Sequence, residues 1–186
     1  MNNLEKIREY WNTRSEGYRQ QIEKEREEHK DEFYKEYFRQ IPEVSKVLDI
    51  GCGPGFFSLL LASLGMNVTA ADYSEGMLEK AKDLLNRNGY HDVEFCRADA
   101  QHLPFADASF DAVVSNYVYH NIAGKSKQAL LLESLRVLKK GGVFALNDDM
   151  KPKLYGDMDV FAQKLREMGY QDVRLIDTAE EAFGSH

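Results

Sequence analysis

The sequence predicts an α/β fold in which a doubly wound, mostly parallel sheet carries helices on both faces. Three observations predict it. Short apolar runs typical of buried strands alternate with amphipathic stretches from residue 45 onward. A glycine-rich turn separates the first apolar run from the helix that follows it. The chain has 186 residues, 43% apolar and 30% charged, which is typical of one soluble globular domain.

The strands are predicted from apolar runs that are too short for helices and are bounded by polar or turn residues. The run VLDI is the clearest, because it is buried in character and ends at the glycine turn. The predicted strands cover residues 47–50, 67–71, 93–96, 110–115, 143–146 and 173–176.

The helices are predicted from apolar residues at helical spacing and from their end signals. Ser74 is the expected N-cap of the second helix, and Gly141–Gly142 are the expected stop of the third. The predicted helices cover residues 56–64, 74–87, 127–139 and 158–168. Strands that alternate with helices indicate βαβ units and therefore a mostly parallel sheet.

The first 40 residues differ from the rest in composition, being rich in Glu, Lys, Arg and Tyr. Residues 1–40 are interpreted as an N-terminal helical lid or cap segment, and residues 41–186 as the ligand-binding core. The charge run 19–36 is best explained as a solvated helix face with oppositely charged pairs. Trp11 and Tyr18 are candidates to close over a bound ligand; the alternative is that they pack between helices.

Charge and cysteine content limit the function classes. The net charge is −7, and no Lys/Arg cluster stands outside mixed-sign stretches, which disfavours a nucleic-acid partner. Cys52 and Cys96 do not have metal-ligand spacing, so we expect no metal site and a reducing compartment. We find no signal peptide and no apolar run near the roughly 20 residues that span a bilayer. We therefore expect a cytoplasmic protein without a membrane span.

The glycine turn, Asp49-Ile50-Gly51-Cys52-Gly53-Pro54-Gly55, carries the strongest functional signal. Residues without a Cβ let a ligand approach the backbone at the carboxyl end of the first strand. A dinucleotide fingerprint would have its third glycine where this chain has Phe56. Asp49, two residues before the first glycine, would repel a pyrophosphate but attract an ammonium. S-adenosylmethionine carries an ammonium and a sulfonium and no phosphate, so the motif favours it over NAD.

The sequence resembles the class I S-adenosylmethionine-dependent methyltransferases, in the small-molecule branch similar to ubiquinone and menaquinone methyltransferases. The resemblance covers roughly residues 47–143. It is carried, in order, by VLDIGCGPG (47–55), AADYSEGMLEKAK (70–82), RADAQHLPFADASFDAVVS (97–115) and LRVLKKGGVF (135–144). It implies a Rossmann-like methyltransferase fold with strand order 3-2-1-4-5-6, S-adenosylmethionine as cofactor and S-adenosylhomocysteine as product.

The cofactor-binding residues are expected at the carboxyl ends of the strands. Asp72 would accept hydrogen bonds from the ribose hydroxyls, or else favour the following helix dipole. The resemblance implies that Asp99 and Ala100 bind the adenine; Met77 would lie against it or be plain core. The full expected set is Asp49, Gly51, Cys52, Gly53, Gly55, Asp72, Tyr73, Met77, Asp99, Ala100, Ser115 and Asn116, with Trp11 and Tyr18 from the lid. Asp111 is expected to support packing at the start of its strand.

Candidate catalytic residues are His120 and, with weaker support, Tyr18. His120 follows the fourth strand and can act as a general base or be a packing or capping histidine. Asn116 is followed by Tyr117 rather than by the Pro-Pro-Tyr expected of adenine or glutamine amino-methyltransferases. Methyl transfer from a sulfonium needs a base only where the nucleophile is protonated.

The predicted function is methyl transfer to a small apolar or aromatic metabolite. The alternatives are a methyltransferase acting on RNA or protein, a non-catalytic S-adenosylmethionine-binding protein and, more distantly, an NAD-dependent oxidoreductase. The resemblance departs at the end of the chain, because residues 177–186 do not read as the expected seventh strand. That strand is either absent or lies beyond the sequence, and pairing of the exposed edge in a homodimer is left open.

Overall fold

The computed structural model describes residues 5, 6, 8–15, 17, 34, 35, 38–123 and 126–174. Five strands lie within this part of the chain: β1 (Lys46–Ile50), β2 (Asn67–Asp72), β3 (Glu94–Arg97), β4 (Phe110–Asn116) and β5 (Leu138–Asn147). The helices between and after them are α1 (Phe56–Ser63), α2 (Glu75–Arg87), α3 (Lys127–Val137), α4 (Pro152–Tyr155) and α5 (Met158–Glu167), with a 3₁₀ turn at Tyr119–Asn121.

The five strands form one parallel sheet in the order β3-β2-β1-β4-β5. The central strand β1 pairs with β2 on one side and β4 on the other, so that Val47 lies opposite both Val68 and Ala112. From β1 the chain adds β2 and β3 on one side of the sheet and then crosses over to add β4 and β5 on the other side. Open α/β sheets bind ligands beside such a switch point. The predicted fold class is confirmed, as are the positions of the first four strands and the order of the first five.

Successive side chains of β1 face opposite sides of the sheet and join separate apolar clusters. Leu48 and Ile50 pack with the α3 side, whereas Val47 packs with Leu60 and Leu61 of α1. Both clusters are almost inaccessible to water. Burial of these side chains is the dominant favourable term for the fold, at about 25 cal/mol per Å².

Helix α2 begins as its sequence predicts. The hydroxyl of the N-cap Ser74 accepts a hydrogen bond of 3.2 Å from the backbone N–H of Met77. Its apolar face, which includes Ala81 and Leu85, is buried against the sheet. Helix α2 therefore holds the loop before it, which belongs to the ligand edge, in a defined position.

The prediction for the third helix and fifth strand was wrong in its boundary. The helix ends at Val137 rather than at residue 139, and Leu138 already belongs to β5. A Cβ at Gly142 would meet the carbonyl oxygen of Asp111 at 2.6 Å. The glycine therefore allows close approach of β5 to β4, where the pairing register shifts between Phe110 and Ala112. It does not stop the helix.

The predicted sixth strand is not part of the described sheet. Val173 and Arg174 are described and are not in a strand, while residues 175 and 176 lie outside the described residues. The tail 177–186, where the seventh strand was sought, also lies outside them. The described sheet thus covers positions 3-2-1-4-5 of the expected order.

The N-terminal segment, defined here as the described residues 5, 6, 8–15 and 17, is helical. Tyr18 and residues 19–33 of the charge run lie outside the described residues. Tyr34 and Phe38 stack edge-on against Phe57 of α1, with ring centroids 4.9 and 5.8 Å apart. These contacts attach the end of the predicted cap segment to the core.

At the opposite edge of the sheet, Asp111 of β4 forms polar contacts with both neighbouring strands, β1 and β5. Its carboxylate accepts hydrogen bonds from the backbone N–H of Lys46 at 2.9 Å and from Lys139 Nζ at 2.8 Å. These donors lower the pKa of the Asp111 carboxyl group. Among the described helices, none has both the length and the apolar character that crossing a bilayer requires.

Candidate active site

A cleft opens at the carboxyl ends of β1, β2 and β4 and over the loop after β3. Loop residues after each strand form its walls, and Trp11 of the N-terminal segment covers one side. Its lining residues are Trp11, Ile50, Gly51, Gly53, Ala71, Asp72, Tyr73, Met77, Ala98, Asp99, Ala100, Leu103, Asn116, Tyr117, Val118, Asn121 and Ile122.

The three glycines of the turn after β1 all have left-handed backbone conformations, with φ of +69° at Gly51, +53° at Gly53 and +94° at Gly55. A Cβ at Gly55 would lie 2.8 Å from Ala81 Cα, and one at Gly51 would lie 2.3 Å from a methyl of Val118. A Cβ at Gly53 would meet nothing within 4 Å. Gly55 therefore packs α1 against α2, whereas Gly53 keeps its place in the cleft wall open.

Asp72 ends β2 and connects two loops. Its Oδ2 accepts a hydrogen bond of 2.9 Å from the Gly53 N–H, and its Oδ1 accepts one of 2.8 Å from the Ser74 N–H. Burial raises the pKa of the Asp72 carboxyl group, and these backbone donors oppose that rise. Asp72 lines the cleft, as expected.

Asp49 lies behind the glycine turn and does not line the cleft. Only 2% of its surface is exposed, and its Oδ2 accepts a hydrogen bond of 2.6 Å from Ser58 Oγ of α1. Burial raises the pKa of Asp49 to about 7, with a smaller contribution from the nearby Asp72. Any influence of Asp49 on a ligand therefore acts through the turn rather than by contact.

Three other expected cofactor residues also stand away from the cleft surface. Cys52 is buried with Ala70 and Ala81 on the α2 side of the sheet. Gly55 lies where α1 packs closely against Ala81 of α2. Ser115 is buried and its hydroxyl donates a hydrogen bond of 3.0 Å to the Ile50 carbonyl. Each of the three supports the backbone of the site instead of forming its wall.

The loops after β2 and β3 bring Tyr73, Met77, Asp99 and Ala100 together in the cleft wall. Asp99 Oδ1 accepts a hydrogen bond of 2.9 Å from the backbone N–H of Gln101, which orients the carboxylate. Met77 is 2% exposed, so it belongs both to the core and to the cleft floor. The two readings of Met77 from the sequence therefore do not exclude each other.

The end of β4 is held by a polar network that sequence analysis did not anticipate. Asn147 Nδ2 donates to Asn116 Oδ1 at 2.8 Å and to Tyr34 Oη at 3.0 Å. Tyr117 has a φ of +55°, and its N–H donates to the Asn147 carbonyl at 2.8 Å. This uncommon conformation for a bulky residue projects a half-exposed aromatic ring at the cleft.

The N-terminal segment is attached to the start of α2 through Asn12. Asn12 Oδ1 accepts hydrogen bonds from the Ser74 hydroxyl and, at 3.1 Å, from the Gly76 N–H. Ser74 caps the Met77 N–H, so the two side chains satisfy two of the free N–H groups that every helix start leaves. This attachment sets the neighbouring Trp11 over the cleft.

His120 does not line the cleft, although its neighbour Asn121 does. Its Nδ1 bonds Asp148 Oδ1, and Asp148 directly follows β5. Sequence analysis missed Asp148. The available signal was an acid at the carboxyl end of a predicted strand, where open sheets place functional side chains.

The cleft fits S-adenosylmethionine. Among its described lining residues there is no Lys or Arg, and the carboxylates of Asp72 and Asp99 face it, which suits a cationic ligand. The open space at Gly53 lets a ligand approach the backbone. Tyr18, the other expected lid contact, lies outside the described residues.

Comparison with known proteins gives the same assignment. Residues 48–146 match the family model described as Methyltransferase domain. The chain is 47% identical over 97 residues to a demethylmenaquinone methyltransferase of Clavibacter sepedonicus, a match covering 52% of this chain and 38% of that protein. It is 35% identical over 120 residues to the demethylmenaquinone methyltransferase of Listeria welshimeri, covering 63% of this chain and 50% of that protein.

Among solved structures, the YcgJ protein from Bacillus subtilis superposes with a TM-score of 0.57 at 29% identity, covering 74% of this chain and 59% of that one. The chain spans half or less of the length of the two curated relatives named above. The family match covers more than half of the chain and includes the glycine turn, both cleft carboxylates and strands β2 to β4. The chain therefore belongs to the methyltransferase-domain family and is a member of the class I S-adenosylmethionine-dependent methyltransferases.

Proposed function

We propose that this protein transfers the methyl group of S-adenosylmethionine to a small apolar or aromatic metabolite by in-line displacement. One observation carries the proposal: a glycine turn bonded to the Asp72 carboxylate forms one wall of a cleft that Asp99 and apolar side chains complete. A cleft of this charge favours a sulfonium ligand over a pyrophosphate.

The cofactor would be held mainly by backbone and carboxylate groups. Asp72 would accept hydrogen bonds from the ribose hydroxyls, and Asp99 with the Ala100 N–H would bind the adenine against Met77. Gly51 and Gly53 would allow close approach of the methionine part to the turn. Asp49 would add negative potential from behind the turn.

The acceptor would occupy the remaining part of the cleft, where the lining is apolar or aromatic. Trp11, Leu103, Tyr117, Val118 and Ile122 contribute this surface. Such a lining favours a ring system or an aliphatic skeleton over a nucleotide or a polar peptide. The two curated relatives, which are named for demethylmenaquinone, support an aromatic acceptor.

S-adenosylmethionine, when bound, supplies a methyl group on a good sulfonium leaving group. The protein would contribute position, because intramolecular reactions with well-oriented partners gain up to about 7–11 kcal/mol. Trp11 and Tyr117 would exclude water from the two partners. The network of Asn116, Asn147 and Tyr34 would keep the acceptor side of the cleft rigid.

The proposal is tested with the full chain in two steps. Calorimetry with S-adenosylmethionine, S-adenosylhomocysteine and NADH should show binding of the first two; binding of NADH alone would overturn it. Release of S-adenosylhomocysteine is then followed with a panel of naphthalenediols, naphthols and alkyl phenols. Binding without turnover across the panel would favour a non-catalytic binding protein, and turnover of RNA or a protein instead would reject the small-molecule acceptor.

A further inference from the structure

The Asp148 side chain, which directly follows β5, is fully inaccessible to solvent and saturated with hydrogen-bond donors. Its Oδ1 accepts from His120 Nδ1 and, at 2.7 Å, from the Asp149 N–H. Its Oδ2 accepts from the His120 N–H at 3.0 Å and from Tyr155 Oη at 2.6 Å. Two donors on each oxygen complete the acceptor capacity of an ionised carboxylate. One donor on each oxygen is a backbone N–H, so the geometry around both oxygens is fixed by the main chain.

These bonds determine which nitrogen of His120 carries the proton. An ionised carboxylate can only accept, so the Nδ1 of His120 must donate to it. In the neutral ring the lone pair then lies on Nε2. The Asn121 Nδ2 lies 2.8 Å from this Nε2, as expected for an amide that donates to a lone pair.

His120 Nε2 contacts the cleft wall through Asn121, because the Asn121 amide that bonds this nitrogen belongs to a lining residue. Asn121 and Tyr117 both line the cleft, and the Tyr117 ring stands edge-on to the His120 ring at 6.2 Å. The imidazole keeps 27% of its side-chain surface exposed, in contrast to the inaccessible Asp148. A ligand hydroxyl that displaced the Asn121 amide would meet the His120 lone pair.

We infer that His120 is the general base of the proposed methyl transfer, that Asp148 and Tyr155 are its positioning residues, and that the acceptor is a phenolic or enolic hydroxyl. This inference rests on the proposed function and adds the class of acceptor atom. A sulfonium makes a base unnecessary for a nucleophile that is already ionised, so a partly exposed histidine held by a buried carboxylate beside the cleft points to a protonated nucleophile.

The acceptor O–H gives its proton to His120 Nε2 while the acceptor oxygen forms a bond to the methyl carbon. The carbon–sulfur bond breaks and its electron pair remains on sulfur. The imidazolium is stabilised by the Asp148 carboxylate until Nε2 returns the proton to water.

Several other titratable groups surround the pair and enter its pH dependence. Tyr119 and Tyr155 are buried and their pKa values are raised, first by burial. Lys127 donates to the Ile122 carbonyl, and burial lowers its pKa against the attraction of Asp148. Asp149 and Tyr117 also contact the pair. Because these neighbours also titrate, a pH optimum alone does not identify the base, whereas the His120 tautomer and the dependence on the acceptor do.

The tautomer is measured first, without turnover. Nitrogen-15 NMR of the full chain with S-adenosylhomocysteine, assigned through His120→Gln, should show neutral His120 protonated at Nδ1. Asp148→Asn should mix or reverse the tautomers, because an amide can also donate to Nδ1. A proton on Nε2 in the unmodified protein would overturn the inference.

Kinetics with matched acceptors tests the base itself. His120→Gln should reduce kcat for 1-naphthol by roughly 10²- to 10⁴-fold but spare nitro-substituted naphthols that are ionised at the assay pH. Asp148→Asn and Tyr155→Phe should show the same selectivity to a smaller extent. His91→Gln, a change at an exposed histidine, is the matched control and should leave both acceptors unaffected.

The outcomes separate this inference from the proposed function. Equal losses for protonated and ionised naphthols would mean that His120 is structural and would reject it as the base. No turnover of any naphthol, with S-adenosylmethionine bound and another acceptor class methylated, would reject the hydroxyl. Failure to bind S-adenosylhomocysteine would instead reject the proposed function. Unchanged S-adenosylhomocysteine affinity in each variant verifies that it is folded.

Discussion

The Asp72 carboxylate bonds the N–H of Gly53 at 2.9 Å, across 19 residues of sequence. The other oxygen of the same carboxylate bonds Ser74 at 2.8 Å. The Asp72 side chain therefore fixes the position of the turn after β1 relative to the start of α2. Asp72 is thus proposed to contact the ligand and also stabilises the cleft wall. Its loss should therefore affect both ligand binding and the stability of the fold.

Asp72→Asn should weaken binding of S-adenosylhomocysteine and lower stability together. An amide oxygen can accept from one of the two backbone donors, but its NH₂ group cannot accept from the other. Leaving a buried N–H unsatisfied costs about 1–3 kcal/mol. Calorimetry and urea unfolding measure the two effects. Glu75→Gln, at an exposed carboxylate of the same helix start that pairs with Arg97, is the control; equal losses in both variants would contradict the assignment.

The three glycines of the turn should respond differently to alanine. Gly53→Ala should keep the fold, with about 1–2 kcal/mol of backbone strain, but should reduce cofactor affinity because its Cβ would enter the cleft. Gly51→Ala and Gly55→Ala should unfold at clearly lower urea, because their Cβ atoms would overlap Val118 and Ala81. A Gly53→Ala variant with unchanged S-adenosylhomocysteine affinity would contradict the proposed position of the ligand.

Asn12→Ala should speed the release of S-adenosylhomocysteine. It removes the acceptor of the Gly76 N–H and of the Ser74 hydroxyl, which together attach the N-terminal segment to α2. Loss of a cap of this kind costs about 0.5–2 kcal/mol. Stopped-flow fluorescence of Trp11, the single tryptophan, reports the change. Thr13→Ala serves as the control, since its hydroxyl bonds Glu9 within the same segment, and an equal rate in the two variants would speak against the attachment.

Asp49 should make the stability of the ligand-free protein fall as the pH rises. Burial raises its pKa from the ordinary 3.8 to about 7 in the folded state. The folded protein then holds a proton that the unfolded chain has lost, so this contribution is complete below pH 4 and disappears as the pH passes about 7. In urea unfolding, Asp49→Asn should flatten this dependence and be the more stable form at pH 8. An unchanged slope would show that Asp49 does not titrate there.

Binding of a cation in the cleft should release a proton from Asp49. A positive ligand favours the ionised carboxylate and so lowers the pKa of about 7. Calorimetry near pH 6.5 in buffers of different ionisation enthalpy should detect the released proton with S-adenosylmethionine in the unmodified protein and lose it in Asp49→Asn. Equal heats in all buffers would exclude this coupling.

Patterns within a few residues of sequence were sufficient to predict much of the fold. The spacing of apolar residues predicted β1 to β4, and the Ser74 hydroxyl caps α2 as its position indicated. Such features depend on neighbours within a few residues, and the sequence contains that information directly. The start of β5 was missed because residues 138–142 become a strand only through pairing with β4, whose partners lie about 28 residues earlier.

By itself, the sequence determined the fold class, the order of the first five strands through its resemblance, and a glycine turn suited to a sulfonium ligand. The tertiary structure alone decided which of those residues form the cleft wall. It placed Asp49 behind the turn. It also formed the hydrogen bonds between Asn12 and Gly76, which are 64 residues apart, and between His120 and Asp148, which are 28 residues apart. The physical reason is that hydrogen bonds and burial depend on distance in space, which periodicity along one chain does not encode.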